Sequence, residues 1–313
     1  MDLIRILTPF AVLAALAGCR AETVEPQTLP AVFNAELRCG QLPISVNGQG
    51  EQLSLQVRGE QVTLQQAVSA SGARYVAEGE AQTSLWFKGE QATLVFEGVE
   101  YPRCAPAGAV IEPFRASGNE PFWSLTLAQG NLTLNRLNEG ELPAQSYIAG
   151  ENQGAYLSDG KPQIRLQVSD QLCHDDMSGM PYPQQVSVSV DGAQLAGCGG
   201  DPARLLQGGE WVVEDINGGG IIDRSRVTLN FWQDGRVGGR ASCNNLMGQY
   251  QLTGEGLSIG QVATTRMACP PALMEQERRV ITNLEQLQRF ELDETGALLL
   301  HSAAGVLKAR LEY

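Results

Sequence analysis

Histidine is almost missing from this 313-residue chain, which has only His174 and His301. They stand far apart, so a Ser-His-Asp or Cys-His pair would have to be assembled across separate parts of the molecule, and no catalytic set is expected. Cysteine is present but never as Cys-x-x-Cys, the spacing that would best support a zinc site. Cations are scarce as well: 22 Lys plus Arg face 35 Asp plus Glu, for a net charge of −13. Phosphate backbones are held by clustered cations, so this balance argues against nucleic acid and suits a basic partner. After the first residues no apolar run is long enough to cross a bilayer. Glycine-rich "NGGG" at 217–220 lacks the Lys and Ser of a phosphate loop and reads as a hairpin turn. "CHDDM" at 173–177 offers His174, Asp175 and Asp176, but adjacent residues seldom converge on one ion, so it reads as a solvated loop. No metal and no cofactor is expected.

What is present begins with "MDLIRILTPFAVLAALAGC" at 1–19: one Arg, an apolar run, then small residues against Cys19. This is the layout of a secretory signal. Its ending resembles a lipobox, at which bacterial cells cleave before the Cys and attach lipid to its thiol. That resemblance implies a bacterial lipoprotein whose mature N-terminus is lipidated Cys19 and which is anchored to a membrane. An ordinary signal or a transmembrane anchor is the alternative. Arg20 and Ala21 follow in place of the Asp that retains many lipoproteins in the inner membrane, so the outer membrane, facing the periplasm, is the expected location. Residues 20–35, polar with two prolines, read as a tether.

Six cysteines remain: Cys39, Cys104, Cys173, Cys198, Cys243 and Cys269. Taken in order they form three bridges, each closed within one segment, and bridges persist in an exported protein; a zinc site is the rival reading. The segments are 36–107, 109–203 and 205–313, punctuated by "APAG" and "GDPAR". In the first, Leu53, Leu55 and Val57 alternate, as do Leu94 and Phe96. Gly-Glu-Gln recurs at 50–52, 59–61 and 89–91, each time before a strand pattern, as reused turn chemistry. Short strands and glycine turns predict a small antiparallel barrel or sandwich, with Cys39 and Cys104 tying its first and last strands. The second segment reads as another β-rich unit, with Trp123 and Tyr182 in its core. The third starts with strands and then holds a helix after Pro270 and Pro271. Leu273, Val280, Leu284 and Leu287 form the apolar face of that helix, and Glu275 can pair with Arg279. The fold class is mainly β with an α+β C-terminal domain.

One loop interrupts these patterns. "SASGARY" at 69–75 has neither helix nor strand period, and it ends by raising Arg74 and Tyr75 after small residues. The chain either merely turns here, with Tyr75 and Trp86 in the core, or presents Ser71, Arg74 and Tyr75 to a partner. "SASGARY" followed by "LWFKGEQATL" at 85–94, enclosed by Cys39 and Cys104, resembles the membrane-bound and periplasmic inhibitors of c-type lysozyme. The resemblance implies a small barrel that inserts a Ser-bearing loop and a Lys-bearing loop into the lysozyme cleft. Here those residues are Ser71 and Lys88. The stretch between the two motifs, "VAEGEAQTS", is a few residues longer than the family's. The chemistry is sound in itself: a lysozyme works with two carboxyl groups flanking the scissile bond. A hydroxyl and an ammonium can bond to such groups, and small Ala70, Gly72 and Ala73 suit entry into a groove.

In the second segment, "FRASGNEPFWSLTL" (114–127) and "CHDDMSGMPYP" (173–183) resemble an uncharacterised family of envelope lipoprotein domains that carries no activity over. The third is similar to the META domain of heat-shock-induced bacterial lipoproteins through "WVVEDING" (211–218), "GGRASCNNLMGQY" (238–250) and "TTRMACP" (264–270). That likeness implies an α+β fold and an envelope-stress context. Asn244 and Asn245 read as residues tolerating left-handed turns. The expected function is binding and inhibition of c-type lysozyme by the first segment, not catalysis. The alternative is a structural or envelope-stress lipoprotein without inhibition.

Overall fold

The computed structural model describes residues 32–79 and 82–313. The signal segment and Cys19 lie outside the described residues. Three nine-stranded antiparallel sheets follow one another along the chain, each with its own apolar core.

The first sheet runs β1 (Val32–Cys39), β2 (Leu42–Gln49), β3 (Gln52–Val57), β4 (Glu60–Ala67), β5 (Ala73–Ala77), β6 (Ser84–Lys88), β7 (Gln91–Phe96), β8 (Val99–Glu100) and β9 (Cys104–Ala105). Strands β1 to β7 pair as a meander, and β9 bridges β7 to β1. All but the short β8 thus form a closed ring, which leaves no long edge exposed. Period-two alternation sends Leu53, Leu55, Val57, Leu94 and Phe96 inward, all buried. Each Gly-Glu-Gln marks a strand-to-strand turn. Cys39 stands directly opposite Cys104 in the β1–β9 register, and the two are bridged.

The second sheet is also a closed ring. Its strand Phe114–Asn119 pairs with both Phe122–Ala128 and the closing strand Ala193–Gly199. Trp123 is buried in its core, as expected. Tyr182 is not in that core. It lies on a two-stranded ribbon (Cys173–His174 with Pro181–Tyr182) that the Cys173–Cys198 bridge holds to the closing strand. Met180, Tyr182 and Leu172 from this excursion pack against the core of the third sheet.

In the third unit the sheet runs without ring closure from strand Gly256–Ile259 to strand Leu287–Leu292, and helix α1 (Pro271–Glu285) packs on it. Pro271 occupies the first turn, where its missing N–H goes unneeded. Val280 and Leu284 are fully buried, but Leu287 belongs to the following strand. The expected Glu275–Arg279 pair does not form. Glu275 pairs with Arg278, and Arg279 donates to the Ile216 carbonyl at 2.6 Å, because a backbone acceptor lies on its side of the helix.

The Asn244–Asn245 reading also needs correction, since the positive φ falls on Ser242. Asn244 is 2 % exposed. Its backbone N–H and Nδ2 donate to the Glu277 carboxylate at 2.8 and 3.0 Å, while its Oδ1 accepts from Thr265 and Met267. A buried carboxylate with such partners ties the helix to the loop bridged by Cys243–Cys269. "NGGG" opens a long connection between Ile216 and Val227, not a tight hairpin, and Asp215 gathers the N–H groups of Gly218 and Gly220.

The units touch. Between the second and third sheets the chain folds into a 3-10 turn, Pro202–Leu205, that rests on the β1–β2 turn of the first barrel. Gln41 N–H donates to the Gln207 carbonyl at 2.7 Å, and Arg204 donates to the Arg103 and Arg38 carbonyls at 2.9 and 3.2 Å. The Tyr313 hydroxyl donates to the Gln41 carbonyl at 2.9 Å. Gly40 has φ +66°, and a Cβ there would lie 2.4 Å from the Gln207 oxygen, so only glycine permits this approach.

Candidate functional site

In a meander, successive turns fall at alternate ends of the barrel. The β2–β3 turn, the β4–β5 loop (68–72) and the β6–β7 turn (Gly89–Glu90) therefore share one end. The β1–β2 turn, against which the third unit docks, lies at the other. Ser71 and Lys88, 17 residues apart in sequence, thus share the end away from the β1–β2 turn, where Gln91 Nε2, beside the β6–β7 turn, also donates to the Val110 carbonyl of the second unit at 2.9 Å.

Three contacts shape that end. The Ser69 hydroxyl donates to the Gly72 carbonyl at 2.9 Å, closing the loop on itself. Gly72 has φ +68°, and a Cβ there would stand 2.0 Å from the Phe87 carbonyl, so the loop lies flat against β6. Trp86 Nε1 donates to the Ser71 carbonyl at 2.8 Å. The same indole supports the second candidate, because Lys88 Nζ sits 4.1 Å from its ring centroid. Arg74 faces Trp86 directly across the β5–β6 register. Ser71 is half-buried, while Arg74 and Lys88 are exposed. The Ser71 carbonyl and the Lys88 ammonium both meet one indole, with Arg74 opposite it on the neighbouring strand.

Tyr75, expected on the presented loop, is 1 % exposed inside the barrel. Strand alternation decides this: with Arg74 outward, Tyr75 points inward, and burial raises its phenol pKa. Gly72 and Ala73 are likewise buried, so of the small residues only Ala70 stands at the rim. The stretch between the motifs includes residues 80 and 81, which lie outside the described residues. On its two flanks Ala73 pairs with Phe87 and Arg74 with Trp86.

Two residues were given no part in the site by the sequence, which on the turn-only alternative put Trp86 in the core. Trp86 is half-buried on the outer face of β6, a placement legible only once Leu85 and Phe87 are known to point inward. Val68, at the start of the loop, is 100 % exposed; its signal was a lone large apolar residue among small and polar ones.

Elsewhere, Asp175 caps its own loop by accepting from the N–H and hydroxyl of Ser178 and from Asn119 Nδ2, with His174 exposed beside it. Among the described residues no group of three or more His, Cys, Asp or Glu side chains could hold a metal ion. Among the described residues no helix is long and apolar enough to cross a membrane.

Comparison with known proteins agrees with two of these units. Residues 38–102 match the family model of the membrane-bound lysozyme-inhibitor of c-type lysozyme, and residues 204–312 match that of the META domain. A search of curated proteins found no match. Among solved structures, one NMR structure is 26 % identical, with 35 % of this chain and 93 % of that chain covered at a TM-score of 0.31. Another, of a protein from Burkholderia xenovorans, is 24 % identical, with 35 % and 85 % covered at a TM-score of 0.30. At such TM-scores neither likeness bears on fold or function.

Proposed function

We propose that this chain is a three-domain envelope lipoprotein (36–107, 109–203 and 205–313) whose first domain binds c-type lysozyme and blocks it by inserting the Ser71 loop and the Lys88 turn into the active-site cleft. The observation that carries the reading is the meeting of these two motifs at one end of a closed barrel within the segment that matches the lysozyme-inhibitor family. Lysozyme's catalytic carboxyl groups are natural partners for a hydroxyl and an ammonium. Arg74, exposed beside them, adds a second cation for the cleft, while Tyr75 contributes from inside the barrel by holding β5 in place. The test is a cell-wall lysis assay with the purified protein. Inhibition near one-to-one stoichiometry is expected, and full lysozyme activity at saturating protein would leave the structural, envelope-stress reading in its place.

Anchoring belongs to the same proposal. Cys19, within a lipobox-like ending, is read as the lipidated N-terminus on the outer membrane, facing the periplasm. The intact mass of protein extracted from the membrane fraction is expected to show added acyl chains on a chain beginning at Cys19. A mass without them would sink this part.

A further inference from the structure

We infer that Trp86 is a positioning residue for the proposed inhibitory end, fixing the Ser71 loop with its indole N–H and the Lys88 ammonium with its ring face so that both meet the partner as a preset pair. The inference rests on the lysozyme-binding reading.

Strand β6 alternates between Leu85 and Phe87, both buried, and Trp86 and Lys88, which point outward. An outward tryptophan contributes little to the core beneath it, yet this one is half-buried because two partners cover it. On one side the Ser71 carbonyl accepts its Nε1–H at 2.8 Å. On the other, Lys88 Nζ lies 4.1 Å from the ring centroid. Its neighbours across the two registers are Arg74 and Thr93, so no large apolar side chain stands directly opposite it.

Each contact removes a freedom that binding would otherwise have to remove. A lysine arm explores many rotamers in water, and ordering it at an interface opposes association. Held over the indole, the ammonium starts near its bound position. The loop is treated alike: Gly72 lies close against the Phe87 carbonyl, and beside it the indole N–H holds the Ser71 carbonyl. Ser71 and Lys88 are therefore coupled through one side chain, although they sit on different strand connections. A tryptophan that touched lysozyme itself, or that only stabilised the barrel, would lack that coupling.

The coupling is what a double-mutant cycle reads. With the full chain and c-type lysozyme, dissociation constants would be measured for wild type, Trp86→Leu, Trp86→Phe, Lys88→Ala and Trp86→Leu combined with Lys88→Ala, with thermal melts confirming that each is folded. Trp86→Leu is expected to weaken binding about five- to thirtyfold, having lost both ring face and N–H. Trp86→Phe keeps the ring face and is expected to lose about two- to fivefold. In the Lys88→Ala background, Trp86→Leu should lose about a third of that factor or less. An equal loss in both backgrounds would overturn the inference, since it would mark direct contact or plain packing. So would inhibition that falls with Lys88→Ala but not with Trp86→Leu, and the lysozyme reading would then survive. Wild-type protein that does not bind lysozyme would overturn both. Should Trp86→Leu fail to fold, Trp86→Phe carries the test, and either no loss or a loss above about tenfold would overturn the inference.

Discussion

Lys88 and Ser71 differ in what each can lose on truncation. Lys88 offers a charge-assisted hydrogen bond, which is worth about 1.5–3 kcal/mol, so Lys88→Ala should raise the dissociation constant for c-type lysozyme roughly tenfold or more. Ser71→Ala should weaken binding less, and Ser71→Trp should block entry by bulk. Because Lys88 is exposed and Ser71 is a half-buried loop residue outside the barrel's core, melting temperatures should stay near wild type. A folded Lys88→Ala, Ser71→Trp double variant that inhibits as well as wild type would show that the loop is only a turn. Tyr75 should behave in the opposite way. It is fully buried, so Tyr75→Ala should cost the first barrel about 3–5 kcal/mol of stability, read by denaturant unfolding. Any loss of inhibition would then follow the unfolded fraction.

At the scale of elements, the ribbon carrying Cys173 shows how a loop outside a barrel can be fixed. The bridge to Cys198 holds one end, and Asp175 organises the other. Partial burial pushes the Asp175 carboxyl pKa up, but hydrogen bonds from Ser178, Asn119 and Met177 outweigh it and hold the pKa below the usual carboxylate value. A depressed folded pKa gives stability that is present above the unfolded value of about 4 and is lost as pH falls through the folded one. The melting-temperature gap between wild type and Asp175→Ala should therefore be full at pH 6 and shrink steadily below about pH 4. A gap that is flat with pH would mean the charge plays no part.

For the whole molecule, the arrangement of ends matters most. The first barrel gives its β1–β2 end to the third unit, while its β4–β5 and β6–β7 end carries the proposed site and meets the second unit where Gln91 donates to the Val110 carbonyl. Arg204 is the main tie that a side chain supplies at the docked end, reaching two carbonyls of the first barrel. Arg204→Ala should loosen the junction by about 1–3 kcal/mol. Small-angle scattering should then report a larger radius of gyration, and inhibition should be unchanged because the loops lie at the far end. A drop in inhibition would show that the docked units help to shape the site.

Much of this protein was legible from residue order alone because it depends on local rules. Alternation at Leu53, Leu55 and Val57 gave strands, Gly-Glu-Gln gave turns, and Pro270–Pro271 gave the helix start. Pairing the cysteines in order within short segments gave all three bridges. The motifs around Ser71 and Lys88 were visible for the same reason. What the linear pattern could not decide is which side of a strand faces in, which elements meet across the molecule and what covers a given side chain. These depend on ring closure and docking, which join residues distant in sequence. Tyr75 went inside and Trp86 outside because the β5–β6 register set their phase. Tyr182 left its own barrel for another unit's core, and Asn244 found Glu277 on a helix still to come in the chain. The meeting of the Ser71 loop and Lys88 at one indole is a product of register, because the β5–β6 pairing sets the β4–β5 loop and the β6–β7 turn side by side at one end of the sheet.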